Sequence, residues 1–166
     1  MNNSVNTVYL LLGGNLLDVK KTFKMAREKV SSNIGEVSQI SKLYQSDSWG
    51  FESKNLFLNQ VLKLSTGLSP KQLLQTIQDI ELELGRIRTA NIEGFESRVI
   101  DIDILYYNSE SIDTPKLKVP HYALQDRRFT MLPLAEVSPD YIHPVLKKTN
   151  KELLINCSDK SIVTAI

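Results

Sequence analysis

The chain carries one cysteine, Cys157, in 166 residues. No internal disulfide can form, and a reducing, cytoplasmic setting is the expectation. Charge of one sign is not in excess either: 20 Lys and Arg stand against 19 Asp and Glu, a formal net charge of +1. Nucleic-acid binders are usually strongly basic, so that class is disfavoured, although a local basic patch stays open. No apolar run approaches the ~18 residues that would cross a membrane. The opening "MNNSVNTVYLLLGG" has no basic n-region and only a short apolar run, so it reads as a strand rather than a signal peptide. Linker-like and low-complexity tracts are missing, and one domain over residues 1–166 is expected. "LGGNL" (Leu12–Leu16) lacks the Lys-Ser/Thr of a phosphate loop and reads as a strand-to-helix turn, with Asn15 or Asp18 as the cap.

The patterned segments give a definite order. Val5–Gly14 is a β-rich run. In "LLDVKKTFKMAREKV" the residues Leu16, Val19, Phe23, Ala26 and Val30 recur at helical spacing. "EVSQISKLYQS" and "NLFLNQVLKLST" read as the second and third strands. "SPKQLLQTIQDIELELG" is a helix with Ser69 as its cap, Pro70 in its first turn, and Gly85 at its end. "SRVIDIDILYYN" is the fourth strand. The expected fold is α+β: a ferredoxin-like βαββαβ core with an antiparallel sheet and helices on one face, plus C-terminal additions. Two polar, glycine-containing connections, "QSDSWGFESKNL" and "RIRTANIEGFES", are long for such a core.

The fourth strand holds the chemistry. Strand side chains alternate, so Ile100, Ile102 and Ile104 face the core while Asp101 and Asp103 share the opposite face, roughly 6.5–7 Å apart. Their repulsion amounts to roughly 0.6 kcal/mol in water and a few kcal/mol at an effective dielectric constant of 20 or lower. Taken alone, such a pair is better accounted for by a solvated strand face than by a cation site. Neighbouring arginines shift the balance. Arg86, Arg88 and Arg98 lie upstream, and Arg127 and Arg128 lie downstream near His121. Hard carboxylate oxygens suit Mg²⁺, which takes its remaining ligands from water and substrate phosphates. Arginines around them suit a polyphosphate. Removing either carboxylate is expected to leave stability near that of the parent protein, since one charge of a repelling pair is lost. On the second helix, Leu74, Gln78 and Glu81 form a flank that is either solvated or ligand-binding. Phe57 and Asn59 share one face of the third strand, where a ring and an amide could meet a flat heterocycle. Trp49 lies in the first long connection.

Together, "YLLLGGNL", "LFLNQVLKL", "IELELGRIR", "SRVIDIDIL", "VPHY" and "RRFTMLPLAEVSPD" run in order along the chain, which resembles the 6-hydroxymethyl-7,8-dihydropterin pyrophosphokinases of folate biosynthesis. The resemblance implies transfer of a pyrophosphoryl group from ATP to the hydroxymethyl oxygen of the pterin, with AMP released. It implies two Mg²⁺ ions on Asp101 and Asp103. It implies Arg86, Arg88, Arg98, His121 and Arg127 near the phosphates, with Arg86, Arg98, His121 and Arg127 catalytic. Leu74, Gln78, Glu81, Ile104, Lys116 and Tyr122 would surround the nucleotide. Phe57 and Phe129 would stack on the pterin, with Asn59, Gly13, Ser46, Trp49 and Asp101 completing its pocket. The expected partners are these small molecules and neither nucleic acid nor membrane, and the expected state is a monomer. The chain departs from the family's usual pattern at Glu96-Ser97, where Gly-Pro is common before the arginine. A ferredoxin-like RNA binder is the main reading of another class, but it would want bases and aromatics where this sheet places two aspartates.

Overall fold

The computed structural model describes residues 4–87 and 96–166. The chain runs β1 (Asn6–Gly14), α1 (Val19–Asn33), β2 (Gly35–Ile40), β3 (Tyr44–Ser46), β4 (Phe57–Thr66), α2 (Pro70–Glu83), β5 (Asp101–Tyr107), β6 (Ile112–Asp113), β7 (Lys118–Val119), α3 (Arg128–Val137), α4 (Asn150–Ile155) and β8 (Val163–Ala165). A 3₁₀ turn covers Leu124–Asp126. The fold is α+β, with an antiparallel sheet ordered β5-β1-β4-β3-β8 and β2 also paired to β4.

Helix boundaries follow the local chemistry. Asp18 caps α1 by accepting from the Lys21 N–H at 3.1 Å. Ser69 and Gln72 form a reciprocal capping box on α2, with Pro70 in the first turn. Gly85 ends that helix at φ 94°, a conformation that suits a residue without Cβ. The buried stripes are Val19, Phe23, Ala26 and Val30 on α1, and Leu73, Ile77 and Ile80 on α2. They pack on Val8, Leu10, Leu12, Ile100, Ile102 and Ile104 of one sheet face. Burial of a side chain such as Phe23 stabilises by roughly 1.5–3 kcal/mol.

The opposite sheet face is covered as well. Tyr9, Leu11, Val61, Leu105 and Tyr106 form a second cluster with Met131, Leu134 and Leu153 from α3 and α4. Helices therefore lie on both faces, where the sequence pattern placed the core helices on one. This explains why β1 is apolar without alternation: both of its faces are buried.

The expected second strand is two strands. It breaks at Ser41, whose N–H donates to the Val61 carbonyl at 2.9 Å and whose hydroxyl accepts from the Val61 N–H at 2.9 Å. Glu136 of α3 accepts from the Lys42 N–H and from the Tyr44 hydroxyl, so a distant helix sets the break. Strands β6, β7 and β8 were not anticipated. They are two or three residues long, too short for a periodic signal.

Two local features aim the site. Leu105 is an extra residue in β5, since Leu10 pairs with Ile104 and Tyr9 with Tyr106. This bulge turns Leu105 and Tyr106 to the same face and leaves the Leu105 carbonyl to accept from the His121 N–H at 3.1 Å. At Gly14 a Cβ would lie 2.6 Å from the Val99 carbonyl oxygen, so the chain entering β5 packs directly on the end of β1. Gly14→Ala is expected to destabilise by about 1–3 kcal/mol, measured by urea unfolding, because the backbone must move to admit the methyl group.

Candidate active site

A cleft of about 330 Å³ opens at the end of the central strands. Its floor is set by register. Gly13 of β1 lies opposite Asn59 of β4 on one side and Asp101 of β5 on the other, and Leu11 lies opposite Asp103. A Cβ at Gly13 would stand 3.2 Å from the Asn59 amide oxygen, so the missing side chain deepens the floor. The cleft is lined by Gly13, Ser46, Trp49, Phe57, Asn59, Asp101 and Phe129, which is the whole pterin set implied by the sequence. Arg86, Arg98, Asp103, His121, Tyr122 and Arg127 line it too.

The two aspartates are not equivalent. Asp101 Oδ1 accepts from Arg86 Nη1, and Asp101 Oδ2 accepts from Arg98 Nη1 at 2.7 Å. Burial alone would raise the Asp101 pKa, but Arg98 and Arg86 outweigh it and hold the carboxyl below the usual carboxylate range. The Asp103 side chain is 30% exposed, opens into the cleft, and meets His121 Nε2 only at 4.0 Å. Desolvation first, and the Asp101 charge second, push its pKa up, with Arg127 and Arg98 opposing. Asp103 is thus the carboxylate short of positive charge. This modifies the expectation that the two substitutions would be alike.

Around this pair the charges are layered. Arg86 also donates to Glu81 Oε1 at 2.8 Å, and the same oxygen accepts from the Ile102 N–H at 2.8 Å. Glu81 is buried rather than a solvated flank of α2. His121 Nδ1 accepts from the Ala123 N–H at 3.3 Å, which leaves Nε2 as the donor facing Asp103. Burial, and then the Arg127 charge, lower the His121 pKa from 6.5 to about 4, so the imidazole is neutral at pH 7.

The apolar side is built from crossed rings. Phe51 meets Phe57 edge-on at 5.8 Å, and Trp49 meets Phe129 edge-on at 6.0 Å. Arg98 lies over the Phe57 ring at 5.7 Å, and Arg127 lies 5.8 Å and 5.9 Å from the Tyr122 and Phe129 rings. The Ser46 hydroxyl is buried with no hydrogen-bond partner among the described residues.

The remaining expected residues fall differently. Gln78 and Glu81 border a smaller adjoining cleft with Leu82 and Arg86. Leu74 of α2 packs against the core, and Ile104 is a core residue at 5% exposure. Lys116 is exposed in the turn between β6 and β7. Arg128 offers its backbone N–H to Asp159 and is not among the cleft residues. Arg88 lies outside the described residues. Phe51 and Asp47 line the cleft and were missed. Only the Trp-Gly-Phe spacing of residues 49–51 could have pointed to Phe51.

Residues 9–139 match the family described as 7,8-dihydro-6-hydroxymethylpterin-pyrophosphokinase. The chain belongs to this pyrophosphokinase family. It is 45% identical over 148 residues to a 2-amino-4-hydroxy-6-hydroxymethyldihydropteridine pyrophosphokinase of Aquifex aeolicus, covering 88% of this chain and 89% of the relative. An enzyme of the same name from Bacillus subtilis is 36% identical, covering 80% and 78%. A solved HPPK-DHPS structure from Plasmodium falciparum superposes with a TM-score of 0.75 at 16% identity, covering 92% of this chain and 44% of that one, which supports the fold. The family assignment fits a cleft in which carboxylates and arginines lie beside crossed aromatic rings.

Two outcomes follow for the pyrophosphokinase cleft without metal. Asp101→Asn leaves Arg98 without its carboxylate and Arg86 with Glu81 alone, and is expected to cost about 2–4 kcal/mol, while Asp103→Asn is neutral or slightly stabilising; urea midpoints in chelator compare them. As pH falls from about 6.5 towards 4, the unfolded chain binds a proton at His121 that the folded chain refuses, so His121 contributes a loss of stability across that window, opposed by Asp103, whose raised pKa lets the folded chain bind its proton first. His121→Gln should flatten that part of the stability profile measured by chemical unfolding.

Proposed function

We propose that the protein transfers the terminal pyrophosphoryl group of ATP to the hydroxymethyl oxygen of 6-hydroxymethyl-7,8-dihydropterin in folate biosynthesis. The observation that carries this reading is one cleft joining an Asp101–Asp103 pair and three arginines to a pocket edged by Phe57 and Phe129. The pterin hydroxyl oxygen forms a bond to the β-phosphorus while the bond from that phosphorus to the α–β bridging oxygen breaks. AMP leaves with the bridging oxygen, and the hydroxyl proton is released to water. Such a transfer needs alignment and charge neutralisation more than covalent help.

Phe57 and Phe129 are assigned to the faces of the pterin, and Asn59 and the unpartnered Ser46 hydroxyl to its polar edge. Arg86, Arg98 and Arg127 are assigned to the phosphates. Arg86 and Arg98 stand paired to Asp101, so a bound polyphosphate competes with that carboxylate for their guanidinium groups. His121 acts as a neutral donor through Nε2. Gln78 and Glu81 serve the nucleotide side. Leu74 and Ile104 support that wall from the core, and Lys116 and Arg88 are assigned to the nucleotide on the resemblance alone.

Asp101 and Asp103 fit Mg²⁺ by donor chemistry: two hard carboxylates on one strand face, one open to the cleft. Among the described residues no group of three or more His, Cys, Asp or Glu could hold a metal ion, and Mg²⁺ would take its other ligands from phosphates and water. We assign two Mg²⁺ ions, which would neutralise the charge on the phosphates.

The sheet order, with β1 between β5 and β4 and β2 and β3 both beside β4, supports a ferredoxin-like βαββαβ core. We read the chain as a single-domain, monomeric, cytoplasmic enzyme. No helix among the described residues is long and apolar enough to cross a membrane.

Incubation with ATP, Mg²⁺ and the pterin is expected to release AMP. Release of ADP, or no turnover by folded protein, would overturn the proposal. Asp103→Ala is expected to lower kcat by at least about 100-fold, a loss typical of removing a group that stabilises transition-state charge.

A further inference from the structure

Phe129 stands on a weak turn. It is the second residue of α3, and Arg127, just before that helix, supplies no side-chain cap. The first N–H groups of a helix have no partner within it. Pro133, inside α3, has no N–H to give the Phe129 carbonyl four residues earlier. The Arg127 carbonyl accepts from the Thr130 and Met131 N–H groups at 3.1 Å and 3.0 Å. The Arg128 N–H, on the other side of the same peptide, donates to Asp159 Oδ2 at 2.8 Å. One peptide unit at the start of α3 is thus held from both sides, and the outer hold comes from a residue 31 positions away in the chain.

Asp159 is itself anchored. Cys157, shortly before it, is buried, and its N–H donates to the Leu154 carbonyl of α4 at 3.2 Å. Asp159 Oδ1 accepts from the Ser161 N–H at 2.9 Å and so closes the turn into β8. There Val163, Thr164 and Ala165 pair with Ser46, Gln45 and Tyr44 of β3, and the Ile166 N–H donates to the Leu43 carbonyl at 2.9 Å. The carboxylate therefore sits between a buried residue and a paired strand. Burial alone would raise its pKa, but the hydrogen bonds from Ser161 and Arg128 and the Arg128 charge outweigh it, so Asp159 is ionised at pH 7.

We propose that Asp159, from the C-terminal tail, is a positioning residue for Phe129: it supplies the cap that α3 lacks and so sets the ring in the cleft. This rests on the assignment of Phe129 to a face of the pterin. Asp159 is not among the cleft residues and needs no contact with substrate. An ordered first turn presents the ring already placed. A frayed turn has to be ordered when the pterin arrives, and that cost appears as weaker binding.

Trp49 is the only tryptophan and meets Phe129 edge-on at 6.0 Å, so its emission reports pterin binding. The test measures pterin affinity with saturating Mg²⁺ and an ATP analogue carrying a methylene between the α- and β-phosphorus, which cannot be cleaved. Asp159→Ala is expected to weaken pterin binding by about fivefold or more, the size of a lost helix cap. Affinity for the analogue alone should change by less than about twofold, the ordinary spread for a residue away from its site. Asp159→Asn keeps an oxygen for the Arg128 N–H and should stay within about twofold of the parent protein, since Asn and Asp cap alike. Asp159→Ser, whose hydroxyl stops one bond short, should lose as much as Asp159→Ala and carries the test if that variant does not fold. In a Phe129→Leu protein, Asp159→Ala should cost no further pterin affinity, because the ring it holds is gone. A role in stability alone would lower the urea midpoint of Asp159→Ala and leave the pterin affinity of the folded protein unchanged, which would overturn the proposal. An equal loss in the Phe129→Leu protein, or an equal loss of analogue affinity, would overturn it too. Each of these leaves the site assignment standing, whereas failure of the parent protein to bind pterin would overturn both.

Discussion

A carboxylate gripped by two guanidinium groups ties together the parts of this molecule on which the site depends. Asp101 belongs to β5, Arg86 follows α2, and Arg98 comes from the chain entering β5. Without the arginines, two aspartates on one sheet face would repel in a partly desolvated cleft. Without Asp101, two cations would crowd beside Phe57 and Glu81. The arrangement holds positive charge ready for phosphates while keeping the empty cleft close to electrically balanced. It also explains why the two carboxylates differ: Asp101 is already compensated, and Asp103 is the one for which a cation supplies missing charge.

The core makes that charge cluster affordable. Its two apolar layers, one under α1 and α2 and the other under α3 and α4, bury both faces of the central strands and fix the register at Gly13. The bulge at Leu105 spends one residue of β5 to free a carbonyl, and that carbonyl sets the backbone of His121. The same strand therefore delivers two carboxylates directly and positions a histidine indirectly.

Much of this was legible in the chain. The alternation of Ile100 to Ile104 with Asp101 and Asp103 appears in the structure as read, because strand geometry is local and period two. The helix caps at Ser69 and Asp18 were legible for the same reason. Helices on both faces were not, since the apolar residues of α3 do not say which surface they will cover. The break at Ser41 was also hidden, because Glu136 acts there from nearly a hundred positions away in the chain. The cleft drew together most of the implied residues, yet Asn15 was offered beside Asp18 as a cap and Phe51 was passed over, since each owes its place to contacts with distant segments.

The sequence alone determined the faces of β5, the stripes of α1 and α2, and the family to which the chain belongs, all of which depend on residue order and short-range geometry. Only the tertiary structure decided which aspartate is neutralised by arginine and which opens to the cleft. It also decided that Asn15, whose amide donates to Ser53 and Ser97, links both long connections. Those outcomes depend on how close separate segments come in space, and Coulomb and hydrogen-bond energies change steeply over the few ångströms that folding sets.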